Sequence, residues 1–347
     1  MPKNWTSEMM ETRRLVRYRD LKPCLNAFVD TYTPGSDKKE NFTIIGPGVA
    51  EHPDQYVHIA EAHGFNIGGA RQPPGCLNSQ HSHETEEVFI VHSGSWSFNL
   101  GEKGEDGSIV LEKGDCITIP VNVFRGFENV GENEGYLFAV LGSDDPGHVT
   151  WAPDVFDKAK DYGLVLLESG RLVDTRNGEV IPEDEQPMLP TSPDQVAQHR
   201  LMSGEEVAAC VSRAAEQNAI AGSGLSRSSQ GVTESPIIGT ANEAEGIGPG
   251  KMTWDHGFNV RRLDFESNAE LAMNSRQEEE VLYMHEGELS FVWQSGELLL
   301  EPGDTLTVPK GLPRQFKNNG DKASIAYVVR GGDQPSGAGI QKGAFAA

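Results

Sequence analysis

The chain repeats itself once, and that repetition restricts its fold more than any other feature. Ile44-Ile45-Gly46 recurs as Ile237-Ile238-Gly239, and His63-Gly64-Phe65-Asn66 recurs as His256-Gly257-Phe258-Asn259, both 193 positions on. The same spacing carries Glu87 onto Glu280 and Gly94 onto Gly287, so the register holds without a gap for about fifty residues. Further along, residues 111–131 (LEKGDCITIPVNVFRGFENVG) match residues 300–320 (LEPGDTLTVPKGLPRQFKNNG) at a spacing of 189. The four lost residues fall between Gly94 and Gly114. There the first copy has a polar, Gly-rich stretch at 101–107, a hairpin connection that can change length without moving the strands beside it. Self-similarity of this kind means two domains of like fold, in keeping with the soft prior of about two for a chain of 347 residues.

Within each copy, runs such as VFIVHSG, WSFNL and CITIP, or VLYMHEG, LSFVW and TLTVP, are β-branched or aromatic and bounded by Gly, Pro or Asn. Short strands recurring at roughly 8 to 12 residues with turn signals between them predict an all-β sandwich or barrel of the jelly-roll kind. Residues 152–163 and 193–218 instead carry helix formers with periodic apolar positions, which predicts a helical connector. Residues 220–235 (IAGSGLSRSSQGVTES) are Gly- and Ser-rich without periodicity and read as a mobile loop, and the tail after Gly331 reads similarly. The expected organisation is an N-terminal arm (1–40), a first barrel (41–145), a helical connector and loop (146–235), a second barrel (236–332) and a C-terminal tail (333–347).

Charge and cysteine usage exclude several classes of function. With 52 acidic against 29 basic residues the formal net charge is −23, a field that repels phosphate backbones and anionic lipid surfaces. Neither nucleic acid nor membrane is an expected partner. Cys24, Cys76, Cys116 and Cys210 lie far apart without zinc-knuckle or redox spacings, and read as reduced thiols. There is no signal-like apolar region at the N-terminus and no stretch of ~18 apolar residues, so a cytoplasmic location is expected.

Residues 75–94, GCLNSQHSHETEEVFIVHSG, have the form Gly, five residues, His-x-His, three residues, Glu, six residues, Gly. Side chains two apart on a strand share a face, so His81 and His83 can meet one ion, and Glu87, opening the next strand after a polar bend, can return a carboxylate toward them. Two imidazoles and a carboxylate with positions left open are the ligand set of non-haem Fe(II) oxygenases. The same set accepts Mn, Ni or Zn, since the affinity order of divalent metals applies to any such site.

The spacing resembles the first signature of the cupin superfamily. Residues 114–129, GDCITIPVNVFRGFEN, resemble the second, keeping Gly114, Pro120 and Asn129 but placing Arg125 where the family has its fourth ligand, a histidine. The resemblance implies a bicupin, two tandem double-stranded β-helix barrels. In the second copy the two histidine positions are Asn274 and Arg276 and the fourth position is Arg314, so one divalent metal ion per chain is expected, in the first barrel. Arg125 has two readings, a bidentate clamp on a substrate carboxylate or an ion pair that orients Glu87. His92 has the opposite strand parity to Glu87 and should face away from the ion. His63 and its twin His256 more simply shape a turn or entry strand. Phe89, Val91, Trp96 and Phe98 read as barrel filling.

Tandem cupins with one degenerate barrel look like the group that includes gentisate and hydroxynaphthoate dioxygenases. By that resemblance the chain is a dioxygenase, with Fe(II) chelating a small aromatic or enol-type substrate. The alternatives are a lyase, isomerase or hydrolase using Zn, Ni or Mn as Lewis acid, or a ligand-binding protein without turnover. The exposed sheet edges of two barrels also give a reason to form a homo-oligomer.

Overall fold

The computed structural model describes residues 4–53, 55–217 and 222–341. Among them the chain divides into two compact units, one of residues 22–214 and the other of the residues up to 21 together with those from 215 onward.

Besides a separate two-stranded sheet, Leu164–Leu166 with Leu172–Asp174, the first unit is built on a jelly roll of two sheets. One sheet runs in the order Val211–Ser212, Cys116–Ile119, Glu87–Ser93, Gly135–Gly142, Phe65–Gln72, Glu40–Ile45, Val57–Ile59, and the other in the order Thr150–Trp151, Leu77–Ser82, Arg125–Asn129, Trp96–Leu100, Gly107–Leu111. All pairs are antiparallel except Glu40–Ile45 with Val57–Ile59. Inward positions of both sheets meet in a core that includes Phe89, Val91, Trp96, Phe98, Phe127 and Leu137. The alternation is plain in Trp96–Leu100, where Trp96, Phe98 and Leu100 are buried and Ser97 and Asn99 only partly so. The second unit repeats the strand pairing, with Phe258–Glu270 pairing to Ser324–Gly331 as Phe65–Gln72 pairs to Gly135–Gly142, but its strands form one continuous sheet, because Phe258–Glu270 runs on to pair at Glu270 with Arg314–Lys317.

The expected N-terminal arm is divided between the units. Residues 7–13 form a helix capped by Thr6, and Leu15–Val16 then pairs with the second barrel's Thr305–Val308. The first barrel receives the same attachment from the connector: the helix Gly204–Ala209 leads into Val211–Ser212, which pairs with Cys116–Ile119. An arginine follows each short strand and repeats one set of contacts. Arg17 donates to the Leu299 carbonyl and to Asp304, both at 2.7 Å, while Arg213 donates to the Val110 carbonyl and to Asp115, also at 2.7 Å. Each barrel is thus completed by the segment that precedes the other barrel in the sequence.

Two expectations for the connector are corrected. The helix expected over 193–218 breaks into Pro193–Val196 and Gly204–Ala209, because Ser203 starts a new capping box and Val211–Ser212 is drawn into the barrel sheet. The mobile loop expected at 220–235 is, from 222 onward, a short 3-10 turn at Gly224–Ser228 and then the strand Gln230–Ile238; residues 220 and 221 lie outside the described residues. Pairing of Glu234 with Leu263 and of Val232 with Phe265 decides this segment, a tertiary contact that its Ser and Gly content does not reveal. Of the expected tail, Gly339–Ile340 pairs with Asn274–Ser275, and 342–347 lie outside the described residues. No helix among the described residues is long and apolar enough to cross a membrane.

Met10 is fully buried in the second barrel's core beside Leu15 and Trp5. Truncating such a side chain costs about 2–5 kcal/mol, so Met10→Ala should lower the stability of the second barrel by that order. Denaturant unfolding of the variant tests this, and an unchanged midpoint would show that the N-terminal segment is not part of the core.

Candidate metal centre

His81 lies on the strand Leu77–Ser82, whose register sets it opposite Arg125 and Trp151, and His83 follows just beyond the strand's end. Glu87 opens the next strand. The structure brings the three together: their ligand atoms lie within 4.8 Å of one another, and all three residues are buried. The imidazole rings are 5.1 Å apart at 83°. His81 Nδ1 lies 2.7 Å from the Ser79 carbonyl, which can only accept, so Nδ1 carries the proton and Nε2 keeps its lone pair. Burial, aided by the charge of Arg125, pushes the His81 pKa down to about 3 and that of His83 well below the usual histidine range. Both rings are therefore neutral and able to ligate at physiological pH.

Arg125 pairs with Glu87 through Nη2 and Oε2, and Glu87 Oε1 faces His83 Nε2 at 3.6 Å. The guanidinium thus holds one carboxylate oxygen and leaves the other toward the imidazoles. Arg125 is itself buried and is not among the residues that line the adjoining cavity, so of its two sequence readings the geometry matches the ion pair. Burial outweighs that one guanidinium and raises the Glu87 pKa. The second barrel makes a useful contrast. Glu280 accepts from Arg314 at 2.6 Å and from Arg276 at 3.0 Å, and these cations, with Arg330, against the same burial hold it down at about 2. Arg276 stands where the first barrel has His83. The second barrel therefore supplies a further positive charge from its own side chains, whereas the first offers two neutral imidazoles and an under-compensated carboxylate, a donor set that fits a divalent cation.

Beside the cluster is a cavity with about 70 Å³ open to water-sized atoms, enough for roughly five waters at 10–15 Å³ each. Its polar lining beyond the cluster is Asn41, Thr43 and Asn78, and its walls include Phe42, Phe89, Phe127, Leu141 and Trp151. No Lys or Arg lines it among the described residues. The ring of Trp151 packs 5.4 Å from His81 and is held by its Nε1 donating to Glu51 Oε1 at 2.6 Å. Phe28 reaches the cavity from a segment pinned by the buried Asp30–Lys39 pair, with Asp30 also accepting from the Ser79 backbone N–H.

Other sequence readings fare unequally. His92 is not among the residues lining the cavity. His63 and His256 sit in matching turns whose backbone N–H groups donate to Asp144 and Asp333. Val91, Trp96 and Phe98 fill the core, but Phe89 also lines the cavity. Nothing local in the sequence marks Asn41, a lone Asn, as a site residue; the one signal for it is the repeat, whose partner position 193 residues on is the charged Glu234.

Fold and site define a two-barrel jelly-roll protein with a two-histidine, one-carboxylate cluster inside one barrel. The chain belongs to the cupin family: the Cupin domain family model matches residues 70–141 and 263–330. It is 35% identical over 121 residues to polyketide synthase CurC of Streptomyces cyaneus, covering 33% of this chain and 75% of that protein. It is 30% identical over 137 residues to germin-like protein subfamily 1 member 4 of Arabidopsis thaliana, covering 37% of this chain and only 60% of that protein. Among solved structures, oxalate decarboxylase of Bacillus subtilis superposes with a TM-score of 0.55 at 14% identity, over 95% of this chain and 78% of that one. At that identity the likeness is one of fold.

Two sets of outcomes are expected, one for the metal cluster and one for the second barrel's carboxylates. The His81→Ala, His83→Ala double variant should keep its fold by circular dichroism and lose divalent metal by elemental analysis; Arg125→Lys, which loosens the hold on Glu87, should weaken metal affinity by about 10 to 100-fold. Second, Glu280 and Glu245, both held near pKa 2 by arginines, stabilise the second barrel above the ordinary carboxylate pKa of about 4.5 and lose that contribution as pH falls from there toward 2. Thermal unfolding between pH 6 and 2.5 should show the loss concentrated below pH 4.5.

Proposed function

We propose that the first barrel is the active site of a divalent-metal enzyme, a non-haem Fe(II) dioxygenase acting on a small, uncharged, largely apolar aromatic or enol-type molecule. The observation that carries this reading is the pairing of the His81, His83 and Glu87 cluster with a cavity that no cationic side chain lines among the described residues. A small dianion such as oxalate, the substrate named for the structural neighbours, would find no guanidinium or ammonium there. The relative named polyketide synthase CurC fits the same direction, since polyketides are apolar carbon skeletons bearing keto and enol oxygens.

His81, His83 and Glu87 would hold the ion, and a bound Fe(II) would supply a meeting point for substrate oxygens and dioxygen in C–C cleavage. The chain's own residues do the rest. Arg125 keeps Glu87 turned toward the imidazoles. Phe42, Phe89, Phe127 and Trp151 exclude water and hold an apolar ring by contact. The Asn41 side-chain amide, buried on the cavity lining and without an acceptor in the protein, supplies a hydrogen bond to a substrate oxygen.

Protein purified without added metal should contain a redox-active divalent ion at about one per chain. It should consume dioxygen with an uncharged catechol, naphthol or diketone, and far less with oxalate or gentisate. Turnover that continues unchanged under nitrogen with Zn, Ni or Mn bound would replace this reading with a non-oxidative lyase, isomerase or hydrolase.

A further inference from the structure

The second barrel carries, at the positions that form the first barrel's cavity, a set of buried charges. Gly68 and Leu141 line that cavity, and strand register places Arg261 and Arg330 at their equivalents: Thr43 pairs with Gly68 and Leu141 with Asn66, as Pro236 pairs with Arg261 and Arg330 with Asn259. Arg276 stands for His83. These three guanidinium groups converge on one carboxylate, Glu245. Arg330 grips it in bidentate fashion, Nη1 to Oε1 at 3.0 Å and Nη2 to Oε2 at 2.7 Å, and Arg261 and Arg276 pair with one oxygen each.

Glu245 comes from none of the barrel strands. It sits on the loop between Ile238 and Phe258, flanked by the exposed residues Glu243, Ala244 and Gly246, yet its side chain is only 3% exposed. The backbone lies at the surface and the carboxylate reaches inward. Little space remains, about 10 Å³ beside Arg261. Without Glu245 the four arginines, with Arg314, would face three carboxylates, Glu234, Glu278 and Glu280. Donors are already in excess, since Arg314 Nε and Nη1 and Arg330 Nε are buried without an acceptor.

We infer that the second barrel is a binding site for a small carboxylate anion, and that Glu245 occupies it as a tethered stand-in that an external carboxylate displaces. The three-guanidinium grip is built for a planar carboxylate and not for Glu245 in particular, because a loop side chain and a free ligand present the same two oxygens. This site is independent of the metal centre and of the activity proposed for it.

The test uses the full-length protein and sodium formate, read by thermal unfolding against sodium chloride at equal ionic strength. Glu245→Ala should be destabilised and then restored by formate, with half-saturation at least about tenfold lower than in the wild type, whose own carboxylate competes at high effective concentration. Adding Arg330→Met to Glu245→Ala should abolish the response. If Glu245→Ala does not fold, Glu245→Gln carries the same expectation, because its neutral amide leaves the arginines short of one charge. Folded variants with no formate-specific shift, equal half-saturation in wild type and variant, or a response that survives Arg330→Met would each overturn the inference.

Discussion

Each barrel buries a carboxylate at the first residue of the same strand, Glu87 or Glu280, against an arginine from the same partner position, Arg125 or Arg314. A buried charge of this kind is tolerated only when it is compensated; beside the single guanidinium of Arg125 burial still raises the Glu87 pKa, whereas Glu280, beside Arg314 and Arg276, is held low. The rest of each interior follows from how the remaining imbalance is met. The second barrel meets it covalently, with Arg276 at the His83 position. The first leaves two neutral imidazoles and space beside Glu87, a cluster that could hold a cation.

That divergence extends to the cavities. Where the first barrel has Gly68 and Leu141, and so room and an apolar wall, the second has Arg261 and Arg330, which then require a further anion. Glu245 reaches in from a surface loop to provide it. One scaffold thus supports an apolar chamber beside a cluster that could hold a cation and a cationic chamber closed by a carboxylate of its own loop, with register unchanged between them. Duplicated barrels tolerate this because inward positions alternate along every strand, so a change of side chain alters the chamber and not the sheet.

The attachment of a helix and short strand to each barrel is conserved between the copies down to the hydrogen bonds of Arg17 and Arg213. It covers an edge strand in each case, Thr305–Val308 or Cys116–Ile119, that would otherwise present unpaired backbone groups. Because each covering segment precedes the other barrel in the chain, neither sequence copy taken alone is a complete folding unit.

The duplicated register, the all-β character, the turn roles of His63 and His256 and the grouping of His81, His83 and Glu87 were legible in the sequence by itself. Strand alternation and fixed spacings are local properties, and a local pattern determines which side chains share a face. Only the tertiary structure decided the rest. That Arg125 turns to Glu87 and away from the cavity depends on the other sheet of the barrel, whose strand Glu87–Ser93 presents the carboxylate. Residues 230–235 became a strand because Phe258–Glu270 offered them a partner, although their composition favoured a loop. Asn41 and Trp151 sit on edge-side strands outside the metal motif and Glu245 on a loop between two barrel strands, and that their side chains enter the interiors is settled by packing and by buried charge, which no local motif in the chain marks.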